Sequence, residues 1–594
     1  MVRSYPAVTG FTPDPAQREI IEAAAEARLV VDAGPGTGKT ATAAARVLAL
    51  LEGGMAPEQL WMVSFARAAV LEMRQRLAAF NGGTLAVLPR VTTLDSLAWR
   101  LRSNEFEDDD AVLEGHDAAI AETLALMRLP GSIVTAQLRG IRHVLLDETQ
   151  DFVGSRAQLV AEMVARLPAS CGVTILTDEA QAIYGFSGGA SLQSLEGDTV
   201  AQHLLAASGF KLHTLTSIHR TDRAQLLRLF ADTRRAVMRE TGNPARKLER
   251  VRRTVGRKAA RPPWRRAMDV DADTLVLYRS RAEVLDEASR RAMSGQPFRL
   301  RLSGLPVILH HWIALALGEF DAQYLSRHRF LDLWRDRVDG DEATAETAWD
   351  ALCEAASSEE RIEMKRLLAL LRSSSPPLAL CRFDPGDARG PVIGTIHASK
   401  GREMPKVRLM MPQATIGRDD PEAEARVLFV GATRAKVALE LGVGIKLATR
   451  RLASGRVYVT AETGRCRCEI GRPGDFDWIA GYRQTPGLED LLRSLRHGEA
   501  LQLVFANGRL SIHYGETLLG LGSPSLMEDL RELRNRVSRQ TDYRPFGIKG
   551  GPAWLLDVRT QALDPASLAR TDRKSALYLA PVVIGLVDLE FYAL

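Results

Sequence analysis

Short apolar runs alternate with helical patterns through the first third of the chain. Residues 29–33 (Leu-Val-Val-Asp-Ala) read as a short buried strand, and Thr40–Leu51 as an alanine-rich helix with a glycine loop before it. Leu60–Phe65, His143–Leu146 and Val173–Leu176 are further runs of strand length, separated by helical patterns such as Ala68–Phe80. Strands alternating with helices predict a parallel sheet covered on both faces. The rhythm returns at Thr274–Tyr278, Pro391–Ile396, Val407–Met411 and Val427–Val430, which predict the strands of a second α/β unit. Two stretches interrupt it. Residues 102–138 are short and include the acidic run Glu107–Asp110, and residues 304–390 are mostly helical in pattern, with Ser373–Pro377 as a loop near their end. After about residue 450 the texture changes. Leu501–Tyr514 alternates apolar and polar positions around Asn507-Gly508, which predicts a β-hairpin. Val457–Thr460, Trp554–Val558 and Val582–Leu589 also read as strands, so the tail is expected to be a separate, mainly β module.

The 594 residues are too many for one hydrophobic core and suggest about four units. A chain that is 46% hydrophobic and 25% charged is not a disordered one. The net charge of +5 is weak evidence for a polyanionic partner, but it is unevenly spread: Arg234–Arg266 holds 13 Arg and Lys against 2 Glu. Such a run reads as a solvated face or linker, or as a nucleic-acid contact, and composition leaves both open. Of the basic residues 67 are Arg and only 11 Lys, a bias a GC-rich genome would give, and it makes each lysine more informative. Five scattered cysteines supply no disulfide framework, and Cys466-Arg-Cys468 lacks the second ligand pair of a structural zinc site. Met1–Gly10 has no apolar core of a signal peptide, and Ala576–Val587 is too short to span a bilayer, so a cytoplasmic location is expected.

The candidate chemistry begins at Ala33-Gly-Pro-Gly-Thr-Gly38-Lys39-Thr40, a P-loop pattern between a strand and a helix. Gly34, Gly36 and Gly38 let backbone N–H groups turn toward phosphates, Lys39 neutralises the β and γ oxygens, and Thr40 ligates Mg²⁺. The helix that follows points its positive end at the same anion. His143-Val-Leu-Leu146-Asp147-Glu148 supplies the acids such a site needs at the end of a buried strand. Asp147 is expected to hold the Mg²⁺ shell, and Glu148 to orient and deprotonate the attacking water of ATP hydrolysis.

Asp147-Glu-Thr-Gln-Asp151 resembles the Asp-Glu-x-x-Asp segment of superfamily 1 DNA helicases of the UvrD/Rep/PcrA type, and further motifs follow in the family's order. Gln17, 22 residues before Lys39, is similar to the adenine-reading Q motif. Val63-Ser-Phe65 through Met73 and Thr93-Leu-Asp-Ser96 resemble two strand-binding motifs, and Leu176–Phe186 the motif whose Gln (Gln181) senses the γ-phosphate and whose aromatics stack on bases. Leu215–Thr221 resembles the Asn-Tyr-Arg-Ser motif, with His219 as an adenine platform and Arg220 as an arginine finger. Thr395–Glu403 resembles the segment in which a lysine (Lys400, beside Gly401) reaches phosphate and a glutamate (Glu403) the ribose, and Glu424–Ala435 the last motif, with Arg434 as second finger.

The resemblance spans roughly residues 11–440 and implies two RecA-like lobes that bind ATP and Mg²⁺ and step along single-stranded DNA in the 3′-to-5′ direction. It implies a first lobe at 1–101 and 139–207, a reduced insertion at 102–138, a second lobe at 208–303 and 391–450, and a reduced helical insertion at 304–390, with 451–594 outside it. Phe65, Thr93, Tyr184, Phe186, Thr395 and His397 are the implied DNA contacts, though Phe65 and His397 also read as core residues. Four positions depart from the pattern: Ala41 and His219 where adenine-stacking residues are usual, Ser187 for Arg, and Asp95 for His. These changes predict weaker base recognition and a weaker grip on the strand. The short insertions predict good translocation but poor unwinding without a partner, for which residues 451–594 are a candidate contact. The expected role is thus an ATP-dependent DNA translocase or helicase in repair, recombination or antiviral defence. A nucleic-acid-sensing ATPase switch subunit is the alternative, and the paired fingers argue against a small-molecule P-loop kinase.

Overall fold

The computed structural model describes residues 11–593 except 66, 81–88, 104–115, 130, 184–198, 208, 240–242, 261–269, 339, 357, 359, 374–375, 383–388, 413–419, 446 and 539–545. The chain divides into two compact units. One comprises residues 1–260, 400–405 and 416–439, the other residues 261–399, 406–415 and 440–594.

The first unit is built on six parallel strands, β1 (Arg28–Ala33), β2 (Leu60–Ser64), β3 (Arg90–Thr93), β4 (His143–Asp147), β5 (Gly172–Thr177) and β6 (Phe210–Leu215), in the order β3-β2-β4-β5-β1-β6. Every residue of β2, β4 and β5 is buried, which is why these strands read as continuous apolar runs rather than alternating ones. The helices are α1 (Pro15–Glu22), α2 (Lys39–Glu52), α3 (Arg67–Phe80), α4 (Leu94–Ser103), α5 (His116–Arg128), α6 (Ile133–Leu138), α7 (Ser155–Arg166), α8 (Val200–Ala206), α9 (Ala224–Met238) and α10 (Pro244–Lys258). Leu97 and Leu101 of α4, Leu159 and Val160 of α7, and Val30, Val63, Val144 and Ile175 of the sheet share one core. In this strand order the carboxyl ends of β1, β4 and β5 lie side by side, the place where open parallel sheets collect ligands.

His143 anchors the start of β4. Its ring is fully buried, with Nδ1 2.8 Å from the Ala25 carbonyl and Nε2 3.0 Å from Thr174 Oγ1. Burial, helped by the nearby Arg46 charge, holds its pKa down to about 4. A folded-state pKa below the unfolded one of 6.5 gives stability that is complete above 6.5 and is lost as the pH falls toward 4. Chemical denaturation is therefore expected to show a loss of roughly 2 kcal/mol between pH 7 and pH 5 from this residue. His143→Gln should flatten that part of the profile, and an unchanged profile would show that His143 is not its source.

Pro421–Ala432 corrects the reading of Val427–Val430 as a strand: the segment is a helix, buried from Ala423 to Ala432 except for Arg426, and packed on α9 and α10. A four-residue apolar run fits a buried helix as well as a strand. The deciding signals lie upstream, in Pro421 at the first turn, Asp420 accepting the Glu422 N–H at 3.0 Å, and Glu422 and Glu424 at the positive helix end.

Most of a second, five-stranded sheet belongs to the second unit; its order is 435–443, 404–411, β7 (Thr274–Tyr278), 392–395, β8 (Arg299–Arg301), with parallel pairing around β7 and 392–395. Two sheets built on parallel strand pairs are thus present, as expected. Beyond them the fold is antiparallel. Leu577–Ala593 is a 17-residue strand that pairs with Arg465–Ile470, Phe546–Gly550 and Ala553–Ala562. The hairpin forms as read, Ala500–Ala506 with Arg509–Tyr514, turning on Asn507 (φ 51°) and Gly508 (φ 73°). Cys466 and Cys468 are both buried on one face of their strand. The tail is mainly β but not self-contained. Ile308-Leu309 from the 304–390 stretch pairs with Cys381-Arg382 and, through Leu309, with Thr560 of the tail sheet. Trp312, Phe330, Trp334 and Trp349 of the helical stretch share one core with Leu577, Tyr578 and Leu579. Among the described residues no helix is long and apolar enough to cross a membrane.

Candidate nucleotide site

The glycine loop joins β1 to α2, and all of the groups around it described next belong to the first unit. Gly36 (φ 75°) and Gly38 (φ 81°) are left-handed, a conformation that costs any other residue energy. Contacts restrict them as well: a Cβ at Gly36 would sit 2.5 Å from Cβ of Arg220, and one at Gly38 2.6 Å from Nε2 of Gln17. Gly34 is buried, and its carbonyl accepts from Thr37 Oγ1 at 2.9 Å. Gln17 is completely buried at the start of α1. It shares a capping box with Asp14, and its Nε2 donates to the Thr37 carbonyl at 2.9 Å. The His219 backbone N–H donates to the Gly36 carbonyl at 2.7 Å, and its ring Nε2 lies 3.0 Å from Asp14 Oδ2. Gln17 and His219 therefore brace the loop itself.

Lys39 and Thr40 occupy the first turn of α2, where free N–H groups and the helix dipole favour an anion. Lys39 Nζ donates to the Ala33 carbonyl at 3.1 Å and lies 3.8 Å from Glu148 Oε1 and 3.9 Å from Asp178 Oδ2. β4 ends at Asp147, which is 2% exposed, and Glu148 turns the chain at φ 54°, a strained value for a residue with a side chain. Burial and the Glu148 charge push the Asp147 carboxyl up to about 7. Glu148 goes the other way: burial works against it, but the ammoniums of Lys39 and Lys400 and the Gln150 amide hold it down to about 2. Two adjacent carboxyls are thereby separated, one kept charged and the other in want of a cation. Among the described residues no cluster of three or more His, Cys, Asp or Glu is placed to hold a metal. The donor set fits a Mg²⁺ that arrives with phosphates and takes one carboxylate and one hydroxyl from the protein.

Three more cations converge here. Lys400 Nζ donates to both Asp151 oxygens at 2.6 Å and to the Gln181 carbonyl at 2.8 Å, and stands 3.6 Å from Glu148 Oε2. Gly401 follows it at φ 75°. Arg434 is 2% exposed, and its Nη2 donates to Gln181 Oε1 at 2.7 Å while Nε donates to the Val430 carbonyl at 2.9 Å. Gln181 in turn donates through Nε2 to Asp178 Oδ2 at 2.5 Å. Arg220 pairs with Glu403 and donates to the Thr433 carbonyl, and Glu403 also holds Lys436 at 3.2 Å. Burial opposes the Glu403 charge, and Arg220 and Lys436 outweigh it, so its pKa lies below the usual range.

Residues 14–113, which carry Gln17, the glycine loop and Thr93, match the family described as the UvrD/REP helicase N-terminal domain. This segment is similar to the UvrD/REP helicase N-terminal domain. The likeness to UvrD/Rep/PcrA-type superfamily 1 helicases read from the motifs is thereby borne out. Solved structures with similar folds include the Pif1 helicase of Candida albicans, 13% identical over 72% of this chain and 95% of that one, with a TM-score of 0.36. Another is the Pif1 helicase from Bacteroides in complex with ADP-AlF3 and ssDNA, 11% identical over 73% and 94%, TM-score 0.36. A third is Saccharomyces cerevisiae Dbp5 bound to RNA and ADP BeF3, 11% identical over 74% and 85%, TM-score 0.35. No curated protein matches the sequence. Likenesses this low decide nothing about chemistry.

The residues expected to contact a strand are less gathered. Phe65 is half-buried and meets Phe152 edge-on at 6.2 Å. Thr93 is 7% exposed and its Oγ1 accepts the Ser96 N–H at 3.2 Å, capping α4. Tyr184, Phe186 and the departing Ser187 lie outside the described residues. Thr395 and His397 belong to the second unit, where Thr395 Oγ1 accepts the Ala398 N–H at 3.2 Å and His397 is half-buried. Asp95, one of the four departing positions, holds Arg156 of α7 at 2.9 Å and so ties α4 to α7. Three site residues were not singled out from sequence: Asp178, fully buried between Lys39 and Gln181; Asp151, the Lys400 partner; and Gln150, whose Nε2 donates to Glu148 Oε2 at 2.5 Å. All three lie inside the quoted motifs, but spacing alone does not say which side chain meets which.

Proposed function

We propose that this chain is an ATP- and Mg²⁺-dependent translocase or helicase on single-stranded DNA, moving 3′ to 5′. The observation that carries the reading is the cluster of Lys39, Glu148, Gln181, Lys400 and Arg434 at the carboxyl ends of β1, β4 and β5, in which Glu148 forms ion pairs with both lysines and Gln181 is hydrogen-bonded to Lys400 and Arg434. In this reading the P-loop N–H groups and Lys39 take the β and γ phosphates, and Asp147 and Thr40 hold the Mg²⁺, which supplies charge neutralisation at those oxygens. Glu148 accepts the proton of the attacking water, Gln150 fixes its carboxylate, and Gln181, Arg220 and Arg434 take up charge on the γ-phosphoryl group. A γ-phosphate competes with Gln181 for Arg434 and with Asp151 for Lys400, and that exchange of partners is what couples the nucleotide to movement. Residues 1–101 and 139–207 are assigned to the first lobe, 102–138 to its insertion, 208–303 and 391–450 to the second lobe, and 304–390 to the second insertion. Residues 451–594 are a candidate contact for a protein partner. Phe65, Tyr184 and Phe186 are proposed to stack on bases without reading sequence.

A second reading, an ATPase switch subunit with little unwinding of its own, is favoured by one observation: Asp95 and Asp117 both hold Arg156, at 2.9 and 2.7 Å, so the charge of this cation is already offset rather than offered to a strand. Hydrolysis measured with and without single-stranded DNA, alongside strand displacement by the same preparation, separates the two. DNA is expected to stimulate wild-type hydrolysis. No stimulation sinks the motor, and stimulation without displacement favours the switch.

A further inference from the structure

Of the strongly basic stretch after the Arg220 motif, Arg234 reaches the nucleotide site, 3.6 Å from Asp178 and 2.8 Å from Asp32, while the arginines from Arg235 onward that line α9 and α10 form a separate feature of specific geometry. α9 and α10 flank an open groove of about 840 Å³. Leu248, Val251 and Val255 bury one face of α10. The groove face carries Arg246, Arg250, Arg253 and Arg257, spaced four, three and four residues apart and therefore stacked along one side of the helix. At about 1.5 Å per residue the row is about 16 Å long. Arg235 of α9 and Arg239 at its C-terminal cap face it.

The groove's own carboxylates are already engaged. Asp232 pairs with Lys258 and lies 3.5 Å from Arg235, and Glu249 lies 3.6 Å from Arg253. Among the described residues Arg239, Arg246, Arg250 and Arg257 meet no carboxylate, and Nη1 of Arg250 is buried without a hydrogen-bond partner. Burying an unpaired donor is costly, so a ligand oxygen that reached it would be stabilising. The lining includes no aromatic side chain on which a base could stack, and its only apolar residues are Ala236 and Ala245. A protein interface would present an apolar centre, and this groove has none. One strand of a nucleic acid places a phosphate about every 3.4 Å of helix axis, so the arginine row matches about five phosphates. Guanidinium forks suit those oxygens in pairs.

We propose that the α9–α10 groove binds the sugar-phosphate backbone of nucleic acid without reading sequence, as a second contact apart from the motif residues. The inference rests on the nucleic-acid reading of the chain and deepens it. The test uses the full-length protein and the variant R246Q/R250Q/R253Q/R257Q. Binding to a labelled single strand and to a blunt duplex is measured across a salt series. The variant is expected to lose about 3–4 from the slope of log K against log salt on the duplex, or about 3 on the single strand. Basal nucleotide hydrolysis without nucleic acid should be unchanged. The substrate whose slope changes identifies the backbone the groove holds. The double variant R246Q/R257Q alters only exposed side chains and should lose about 2 from the duplex slope, which covers the case in which the quadruple variant folds poorly. Unchanged slopes on both substrates, with wild type binding, would overturn the groove and leave the motor reading standing. Loss of polyglutamate binding with unchanged nucleic-acid slopes would also overturn it, in favour of an acidic protein. Wild type binding neither nucleic acid would remove both readings.

Discussion

Replacing Arg434 by alanine is expected to lower kcat for ATP hydrolysis by about 10³–10⁵-fold, the range in which arginine fingers contribute to phosphoryl transfer. That corresponds to about 4–7 kcal/mol of transition-state stabilisation. The geometry explains why the loss should be large. Arg434 is 2% exposed, and burial together with the Arg220 charge lowers its pKa to about 9, so the guanidinium is held charged at an electrostatic cost that an anion relieves. Its present oxygen partners, the Val430 carbonyl, Thr433 Oγ1 and Gln181 Oε1, are all neutral. A γ-phosphoryl oxygen carries full charge in the same low-dielectric surroundings and forms the stronger bond. Truncation also strips Gln181 Oε1 of its donor, so some loss of stability is expected alongside. Arg434→Lys separates the two effects: it keeps the charge but not the planar fork, and should retain most of the stability while losing most of the rate. Single-turnover hydrolysis at saturating ATP, with thermal unfolding of both variants, is the measurement. A fall in kcat of less than tenfold in the alanine variant would assign Arg434 to structure alone.

Most of the site was legible because its elements carry signals that survive without tertiary context. β4 and β5 are buried on both faces, so their sequences are unbroken apolar runs. Gly36 and Gly38 had to be glycine for backbone and contact reasons alike, and that requirement shows in composition. Where the reading went astray, local pattern was ambiguous or too short. Val427–Val430 has no period that distinguishes strand from buried helix, and only its upstream cap does. The strands Ile308-Leu309 and Cys381-Arg382 are two residues each, too short to alternate, yet they join the helical stretch to the tail sheet and make the tail dependent on it. The pairings of Lys400 with Asp151 and of Gln150 with Glu148 are of another kind. Polar partners are chosen by where the fold brings side chains together, and motif spacing records the participants without the pairs.

Glu148→Gln is expected to reduce hydrolysis by about 10²–10⁴-fold, the usual worth of a positioned general base, while nucleotide binding is kept. The carboxylate is fixed from three sides, by Gln150 at 2.5 Å, Lys400 at 3.6 Å and Lys39 at 3.8 Å, on a backbone held at φ 54°. A carboxylate held down to about 2 is a poor base, and the cause of that depression shows how it becomes a better one. Burial alone would raise it, and the lowering comes mainly from Lys39 and Lys400. Both lysines stand at motif positions expected to bind phosphate. In the proposed mechanism a bound triphosphate draws these ammoniums toward its own oxygens, weakens their hold on Glu148, and so raises its basicity when a water is in place to be attacked. Glutamine keeps the size and a hydrogen bond to Gln150 but cannot take the proton. It also removes the charge that helps push Asp147 up, so the variant should bind Mg²⁺-nucleotide at least as tightly as wild type. Equilibrium nucleotide binding and single-turnover hydrolysis on the same preparation test both halves. Hydrolysis within tenfold of wild type would remove Glu148 from the role of base, and lost binding would make it a structural partner of the two lysines instead.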